Sequence, residues 1–274
     1  MTDTSEWVGR TGQSWASEWR RTDRSFAPLT ERLLARTREF AFGSALDVGC
    51  GAGELSLALA RGRPNGRAIG VDVSPHLVAA ARGRGGNLPN VAFEIGDAAQ
   101  WWPPAGFAPE LVVSRHGVMF FDDPVGAFTH LAELAAPAAG LLFSCFRAFT
   151  ENPMFTELAR LMPDDTPGPA SDGPGPFAFA DPALVEALLT EAGWRGVTFE
   201  PVDFAMIVGA GPDPVEDALG YFRTIGPAAR AAAAMDEADR ERLFEGVRAL
   251  AGRHLHGGMV ALRAACWIVT ARKA

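Results

Sequence analysis

The stretch ALDVGCGAGELS, residues 45–56, decides how the chain begins to fold. Three glycines stand at alternate positions, Gly49, Gly51 and Gly53, and Asp47 precedes them. An apolar run leads into the glycines and a helix-like run follows, which predicts a strand, a tight turn and a helix. Glycine accepts a positive φ and lets a ligand approach the backbone N–H groups of the turn and the helix N-terminus. The stretch therefore predicts a site for a small, nucleotide-like molecule.

The chain continues with short apolar runs that alternate with helical stretches. The runs cover residues 45–48, 68–73, 91–95, 111–114 and 141–146, and the helices fall near 53–61, 75–83 and 125–136. Near-continuous apolar strands separated by helices are typical of a parallel sheet that is covered on both faces. The sequence therefore predicts an α/β fold.

The remaining segments predict additions to this core. Residues 1–43 form a helical cap in which a helix starts near Pro28, and residues 44–146 form the core. A lid segment follows at 147–180, with a Pro- and Gly-rich loop at 163–177 that gates the site. The C-terminal half, 181–274, carries a strand at 197–208, helices at 213–255 and a last strand at 259–272. We expect residues 1–274 to be one domain, with the 213–255 helices inserted before the last strand.

Composition excludes several classes of protein. The 274 residues are 48% hydrophobic and carry a formal net charge of −8, which argues against a nucleic-acid-binding face. The three cysteines are far apart, which predicts reduced thiols in a cytoplasmic protein and no metal site. The most apolar stretch, 125–146, is interrupted by His130, Glu133 and Pro137, so a membrane span is not expected.

The details of the glycine turn discriminate between cofactors. A dinucleotide site has the pattern GxGxxG, but Glu54 stands where that pattern needs its last glycine. The carboxylate of Asp47 would repel a pyrophosphate and attract an amine or a sulfonium. The turn therefore favours a cofactor that carries positive charge.

The turn resembles motif I, hhDhGxGxG, of the class I, Rossmann-like S-adenosylmethionine-dependent methyltransferases. The resemblance extends over residues 45–146: AIGVDVS supplies Asp72 after the second strand, FEIGDAA supplies Asp97 and Ala98 after the third, and LVVSRHGVMFFDDP (111–124) is similar to the fourth. It implies a seven-stranded, mostly parallel sheet with helices on both faces, in which Asp72 binds the ribose and Asp97 lies near the adenine. The cofactor-binding residues that it implies are Asp47, Gly49, Cys50, Gly51, Gly53, Asp72, Val73, Asp97, Ala98 and Ser114.

The sequence says less about the site for the methyl acceptor. His116 follows the fourth strand, where this family places the transferred methyl group, and is the candidate catalytic base; its alternative is a packing role. Arg115 either holds an anionic substrate or forms a salt bridge. The N-terminal pattern W-x-G…G-x-x-W resembles a bacterial small-molecule branch of the family, which implies that Trp15 and Trp19 belong to a lid. Phe120 and Phe146 are expected to line an apolar acceptor pocket.

We therefore predict methyl transfer from S-adenosylmethionine to oxygen or nitrogen of a small molecule. Residues 114–117 lack the Asn/Asp-Pro-Pro-aromatic signature, which disfavours nitrogen methylation of DNA or protein amides. Three alternatives stay open: a non-methylating enzyme that uses the same cofactor, an NAD-dependent oxidoreductase, and a non-catalytic cofactor-binding protein. A homodimer is also left open.

Overall fold

The computed structural model describes residues 4–163 and 173–274. Most of the loop predicted at 163–177, and with it the predicted gating role, lies outside the described residues. An N-terminal cap comes first, built from α1 (Thr4–Val8), α2 (Arg10–Ser17) and α3 (Trp19–Arg36).

The prediction that a helix begins near Pro28 is wrong. Helix α3 begins at Trp19 and contains Pro28 in its interior. The buried face of α3 continues across the proline, with Phe26 on one side and Leu29 and Leu33 on the other. A proline inside a helix costs about 3 kcal/mol, so burial of this apolar face outweighs the lost hydrogen bond.

A continuous sheet forms the centre of the described structure, in the order β3-β2-β1-β4-β5-β8-β6. Strands β1 to β5 are parallel, β8 runs antiparallel between β5 and β6, and the two-residue β7 pairs with β8. The mostly parallel α/β fold is therefore confirmed, although the sheet of the described residues has eight strands where seven were expected, because the short β7 is added beside β8. The strands are β1 (Ser44–Val48), β2 (Arg67–Asp72), β3 (Val91–Ile95), β4 (Leu111–Arg115), β5 (Gly140–Phe146), β6 (Trp194–Gly209), β7 (Leu255–His256) and β8 (Met259–Lys273).

Four helices alternate with the strands, and three of them begin in the same way. They are α4 (Glu54–Gly62), α5 (Pro75–Gly85), α6 (Pro124–Leu134) and α8 (Pro182–Glu191), while the shorter α7 (Pro153–Ala159) follows β5. In α5, α6 and α8 a Ser or Asp side chain accepts a backbone N–H of the first turn, and proline occupies the first helical position. Both features stabilise a helix N-terminus, which explains why the sequence located these helices correctly.

The helical insertion consists of α9 (Pro214–Thr224), α10 (Gly226–Ala232) and α11 (Glu237–Arg253). It lies between β6 and β8, as the sequence predicts, and α9 packs against both strands and α11. Each of the two longer helices buries an apolar stripe. Leu219 and Phe222 belong to the stripe of α9, and Val247 and Leu250 belong to the stripe of α11.

The strand order reverses at the boundary between β1 and β4. Connections from β1 lead to β2 and β3 on one side, whereas β4 and β5 lie on the other. In an open α/β sheet, ligands bind outside the carboxyl ends of the strands at this kind of switch point. The glycine turn follows β1, so the fold places it at the edge where a ligand is expected.

Candidate active site

The glycine turn between β1 and α4 has a backbone that side chains would disturb. Gly49, Gly51 and Gly53 have φ angles of 64°, 55° and 86°. A Cβ on Gly49 would lie 2.8 Å from the Cα of Gly117, whereas a Cβ on Gly51 would meet nothing within 4 Å. Gly49 thus permits two backbone segments to touch, and Gly51 leaves open space beside the main chain.

Asp72 at the end of β2 is tied to that turn. One of its carboxylate oxygens accepts the Gly51 N–H at 2.8 Å, and the other accepts the Ser74 N–H at 2.9 Å. Burial raises the pKa of Asp72, while these two backbone hydrogen bonds lower it. The carboxylate therefore fixes the turn and also faces the space in front of it.

Asp47 is a second buried carboxylate below the turn. It accepts a hydrogen bond from the Ser56 hydroxyl at 2.6 Å. Burial raises the pKa of Asp47 to about 7, against the opposing effects of Ser56 and Arg115. Burial together with Asp72 and Asp47 also raises the pKa of the Cys50 thiol. A positively charged ligand would stabilise the ionised form of Asp47.

One cavity of about 1440 Å³ extends from the glycine turn to the helical insertion. This exceeds the roughly 300–1,000 Å³ of a typical small-molecule pocket, so the volume accommodates two ligands side by side. The cavity brings together thirteen residues that the sequence predicted for the site: Trp15, Asp47, Gly49, Cys50, Gly51, Asp72, Val73, Asp97, Ala98, Arg115, His116, Phe120 and Phe146.

Three predicted residues do not line this cavity. The Ser114 hydroxyl donates to Val48 O at 2.8 Å and accepts the Gly117 N–H at 3.0 Å, so it holds two loops together. Gly53 caps α4, where a Cβ would meet the Phe93 ring at 2.8 Å. Trp19 lies under the Arg84 guanidinium, 3.8 Å from its ring centroid. In this structure the three residues support the walls of the site; the cofactor contacts of Ser114 and Gly53 and the lid role of Trp19 stay predictions.

His116 lines the cavity and has an unusual backbone conformation. Its φ is 63°, and its ring stacks on Phe146 with centroids 4.3 Å apart. Nε2 lies 3.7 Å from the Cys266 sulfur, and Nδ1 is buried without a hydrogen-bond partner in the described part of the chain. Burial and the neighbouring Arg115 lower the pKa of His116 to about 3. A histidine with this pKa is neutral near pH 7 and a weak base, which favours the packing alternative, and its role as the catalytic base stays a prediction.

Arg115 belongs to a partly buried charge network rather than to an open anion site. Its guanidinium donates to the Thr30 hydroxyl at 2.7 Å and lies 3.6 Å from Asp23 of the cap. Asp23 also pairs with Arg84 at 2.7 Å, and Arg84 pairs with Glu54 at the start of α4. Burial raises the pKa of Asp23 to about 6, against the effect of Arg115. The network fastens the N-terminal cap to the helix that follows the glycine turn.

Aromatic rings cover the other walls of the cavity. Trp7 makes edge contacts with both Trp15 and Phe120, at centroid distances of 5.4 Å. Phe177, from the described end of the lid segment, packs at 4.9 Å on Phe155 of α7. The cap and the described part of the lid segment therefore line the cavity with aromatic side chains.

Comparison with known proteins identifies the family. Residues 18–201 match the family described as "Methyltransferase domain". The chain belongs to the class I S-adenosylmethionine-dependent methyltransferases. S-adenosylmethionine is accordingly the cofactor that membership of this family assigns to the site.

Two curated methyltransferases are similar to parts of the chain. A trans-aconitate 2-methyltransferase of Methylobacterium radiotolerans is 31% identical over 66% of this chain and 62% of its own length. A malonyl-[acyl-carrier protein] O-methyltransferase of Ilyobacter polytropus is 27% identical over 51% of this chain and 53% of its own. The chain thus matches less than two thirds of either relative's length.

A solved structure shares the fold. Phosphoethanolamine N-methyltransferase 2 of Haemonchus contortus, in complex with S-adenosyl-L-methionine, superposes with a TM-score of 0.58 at 15% identity. The match covers 100% of this chain and 60% of that one. At this identity the likeness concerns the methyltransferase fold alone.

The residues of the turn fit the cofactor of this family. Open space beside Gly51 leaves room for a ligand against the backbone, and the carboxylates of Asp72 and Asp97 line the same space. Asp97 is fixed by the Ala99 N–H at 2.9 Å, and buried Ala98 supplies an apolar wall beside it. Carboxylates and small side chains are suited to ribose hydroxyls, to an amine and to a planar base.

Sequence reasoning missed the residues that the insertion contributes to the methyltransferase cavity. Tyr221, Arg223, Arg230 and Arg240 line it, together with the alanines of α10. Asp23 of α3 was missed as well. The amphipathic stripe on α9 predicts which face is buried, but not that the neighbouring side chains would meet a cavity formed by the sheet and the cap.

Two further findings concern other classes of site. Among residues 4–163 and 173–274, no group of three His, Cys, Asp or Glu side chains is arranged to hold a metal ion. In the same residues, every helix is too short or too polar to cross a lipid bilayer. His254 follows the last turn of α11, and its Nε2 lies 3.0 Å from a carboxylate oxygen of Glu157.

Proposed function

We propose that this protein transfers the methyl group of S-adenosylmethionine to an oxygen or nitrogen atom of a small molecule. The proposal rests on one observation: a single cavity extends from the glycine turn past His116 to a part that is lined by phenylalanine rings. A cofactor at the glycine turn and an acceptor among the phenylalanine rings can contact each other only because these two spaces are joined. When bound, the cofactor would supply a methyl group activated on a sulfonium, and a lone pair of the acceptor would form the new bond to it as S-adenosylhomocysteine leaves.

The side chains around the turn bind and orient the cofactor. Asp72 binds the ribose hydroxyls while it holds the Gly51 N–H, and Asp97 and Ala98 bound the adenine site. Asp47 favours the positive charge of the methionyl end through its buried carboxylate. In this role the protein supplies orientation and electrostatics, which are the main contributions that an activated donor needs.

The cap and the lid segment exclude water from the reacting centre. Trp15 and Phe120 both contact Trp7, and Phe146 stacks on His116 beside them. Their apolar surfaces favour an acceptor that is partly apolar. Because the cap, core, lid segment and insertion all line one cavity, we infer that residues 1–274 act as one domain with the boundaries predicted from the sequence.

The acceptor atom is nucleophilic before it binds. A pKa of about 3 leaves His116 without useful basicity, so a hydroxyl would lack a base at this position. A carboxylate oxygen or an unprotonated amine needs none. His116 then contacts the acceptor as a neutral ring held by Phe146. The two curated relatives act on trans-aconitate and on a malonyl group, which agrees with carboxylate oxygen as the target.

Incubation with S-adenosylmethionine carrying an isotopically labelled methyl group tests the proposal. We expect label to appear in a small acceptor, with S-adenosylhomocysteine formed in equal amount, and trans-aconitate is the first acceptor to try. A Gly51→Val variant serves as the inactive control. Tight cofactor binding without product from a broad panel of acids and amines would instead indicate a non-catalytic binding protein. Conversion of an acceptor without label transfer would indicate non-methylating chemistry.

Other expectations from the sequence stay predictions. The net charge of −8 supports the absence of a nucleic-acid partner, and the isolated cysteines support a cytoplasmic location. Gel filtration with light scattering tests the homodimer.

A further inference from the structure

The ionisable side chains that line the cavity differ in sign between its two ends. Where the parallel strands end, the cavity is lined by the carboxylates of Asp47, Asp72 and Asp97. Where the insertion covers it, the charged lining residues from α9 to α11 are Arg223, Arg230 and Arg240. The charged lining residues of the cap and of the end of β4 are Glu6, Arg10, Asp23 and Arg115.

The two ends lie apart in the fold. Asp47 lies near the end of β1, Asp72 ends β2 and Asp97 follows β3, and these three strands occupy one half of the sheet. Helix α9 packs on β6 and β8, at the opposite edge. A ligand that reaches both charged ends must therefore cross the space above β4 and β5, where His116 lies.

None of the three cavity-lining arginines of the insertion forms a direct ion pair among the described residues, although Arg223 lies close enough to Glu216 to add to the effect of Arg248, which lowers the pKa of that carboxyl. The Arg240 guanidinium donates to the carbonyl oxygens of Ala232 and Met235, at 3.1 and 2.8 Å. Arg223 lies 5.1 Å from the centroid of the Phe244 ring. These contacts orient the guanidinium groups without neutralising them.

Two arginines of α11 that do not line the cavity are paired with carboxylates. Arg242 forms an ion pair with Asp239, and Arg248 forms one with Glu216. Arg240, on the same helix, lines the cavity and has no such pair among the described residues. An unpaired guanidinium at the mouth of an apolar cavity attracts anions, and its planar fork fits a carboxylate or a phosphate.

The space between the two charged ends is apolar. Phe146, Phe155 and Phe177 line it together with Met206 and Phe222. A ligand placed here next to the cofactor would have an apolar body in the middle and its other end among the arginines.

We propose that the methyl acceptor carries an anionic group, carboxylate or phosphate, at the end remote from the methylated atom, and that Arg223, Arg230 and Arg240 bind this group. The inference rests on the proposed methyl transfer and adds the substrate class. The acceptor enters with its anion at the insertion, its apolar body passes the phenylalanine rings, and its nucleophilic atom reaches His116. The donor and acceptor thus match the opposite charges of the two cavity ends.

Paired acceptors test this directly. The two members of each pair share one skeleton with a nucleophilic group at one end and differ only at the other end. In the first kind of pair, one member has a carboxylate there and the other its primary amide. In the second kind, one member has a phosphate monoester and the other the parent alcohol. Formation of S-adenosylhomocysteine gives kcat and KM for each compound. We expect the charged member of a pair to have the lower KM by about tenfold, as expected for a few partly exposed ion pairs acting together. The carboxylate and phosphate pairs show which anion is preferred.

Variants show whether these arginines, rather than the overall electrostatic field of the protein, bind the anionic group. Arg230→Gln and Arg223→Gln should each raise KM for the charged acceptor about threefold and leave KM for its neutral twin unchanged. The matched control is Arg242→Gln on α11, whose side chain is exposed and paired with Asp239 outside the cavity. Added salt should raise KM for the charged acceptor in wild type and have less effect in Arg230→Gln.

The outcomes distinguish the inference from the proposed function. Methylation of neutral acceptors with KM values equal to or below those of their charged twins would overturn the inference and leave methyl transfer intact. An equal response of Arg242→Gln and Arg230→Gln would also overturn it. Label transfer to none of the compounds, with cofactor binding retained in calorimetry, would refute the proposed function, and the inference with it.

Discussion

The two ends of the cavity are constructed in different ways. At the cofactor end, the residues come from one stretch between Asp47 and Ala98, and the decisive features are backbone conformations and carboxylates at strand ends. At the acceptor end, the lining comes from the cap, β5, α7 and α9 to α11, which are distant in sequence. The first end is fixed by local geometry and the second by the packing of separate elements.

This difference predicts how each end responds to mutation. A side chain added at the glycine turn strains a backbone with positive φ and, at Gly51, enters the open space beside the turn. In contrast, one side chain removed from the acceptor end changes one part of a large apolar wall. Local changes should therefore abolish cofactor binding, whereas changes at the other end should alter KM and leave the cofactor bound.

The largest effect is expected for Gly51→Val. The added side chain would enter the open space beside the turn, so affinity for S-adenosylmethionine should fall at least about a hundredfold, or about 2.7 kcal/mol. Gly106→Val is the matched control, because Gly106 also has a positive φ of 82° and open surroundings but lies outside the cavity. Titration calorimetry should show normal binding in the control. Similar losses in both variants would mean that backbone strain, rather than occupied ligand space, causes the effect.

A smaller effect is expected for Asp72→Ala. The change removes the acceptor for the Gly51 and Ser74 N–H groups and the charged partner of the ribose. Loss of such charge-assisted hydrogen bonds costs about 1.5–3 kcal/mol, which is a decrease in affinity of roughly tenfold to more than a hundredfold.

Asp123→Ala separates this effect from general loss of stability. Asp123 accepts the Gly126 N–H at the start of α6, outside the cavity, so its removal should lower the thermal midpoint and leave cofactor affinity intact. Wild-type affinity in Asp72→Ala would contradict the placement of the ribose.

The same contrast explains which features the sequence could predict. The glycine turn, Asp72 and Asp97 were found because each lies at a fixed place relative to a strand end, and strand ends are visible as breaks in apolar runs. The helix starts before Pro75, Pro124 and Pro182 were found because capping residues and prolines act locally.

The errors and omissions involve contacts between distant segments. Local preference predicted a helix start at Pro28, but burial of Phe26 and Leu29 on either side carries α3 through it. Ser114 was expected at the cofactor, and only the approach of Gly117 to Val48 shows that its hydroxyl also joins these two segments. Arg230 gave no signal in the sequence, because an exposed arginine on a short helix is ordinary until the cavity beside it is seen.

We expect pH to have a moderate effect on cofactor binding through Asp47, which lies at the cofactor end of the cavity. Its pKa of about 7 reflects burial, with Arg115 opposing and Asp72 assisting the shift. Below this pH the carboxyl group is protonated, so binding of a sulfonium must release a proton. Affinity should therefore rise with pH by at most about tenfold per unit below pH 7 and level off above it.

S-adenosylhomocysteine provides the control for this prediction, because it lacks the sulfonium charge. Its affinity should depend less on pH, and Asp47→Asn should make the two ligands respond alike. Calorimetry in two buffers of different ionisation enthalpy measures the proton release directly. An identical pH dependence of both ligands in wild type would show that the carboxylate does not respond to the sulfonium.

The smallest effect is expected for the protonation of His116. Because burial and Arg115 lower its pKa to about 3, the ring stays neutral across the working range, and kcat on a carboxylate acceptor should be flat between about pH 6 and 8. With an amine acceptor, the pH profile of kcat would have a break at the pKa of that amine. The break would move when a different amine is used. His116→Gln should lower kcat on a carboxylate acceptor without introducing or removing any pH dependence. A break near pH 6.5 that is independent of the acceptor and disappears in His116→Gln would confirm the histidine as the base, and would show that cofactor binding raises its pKa.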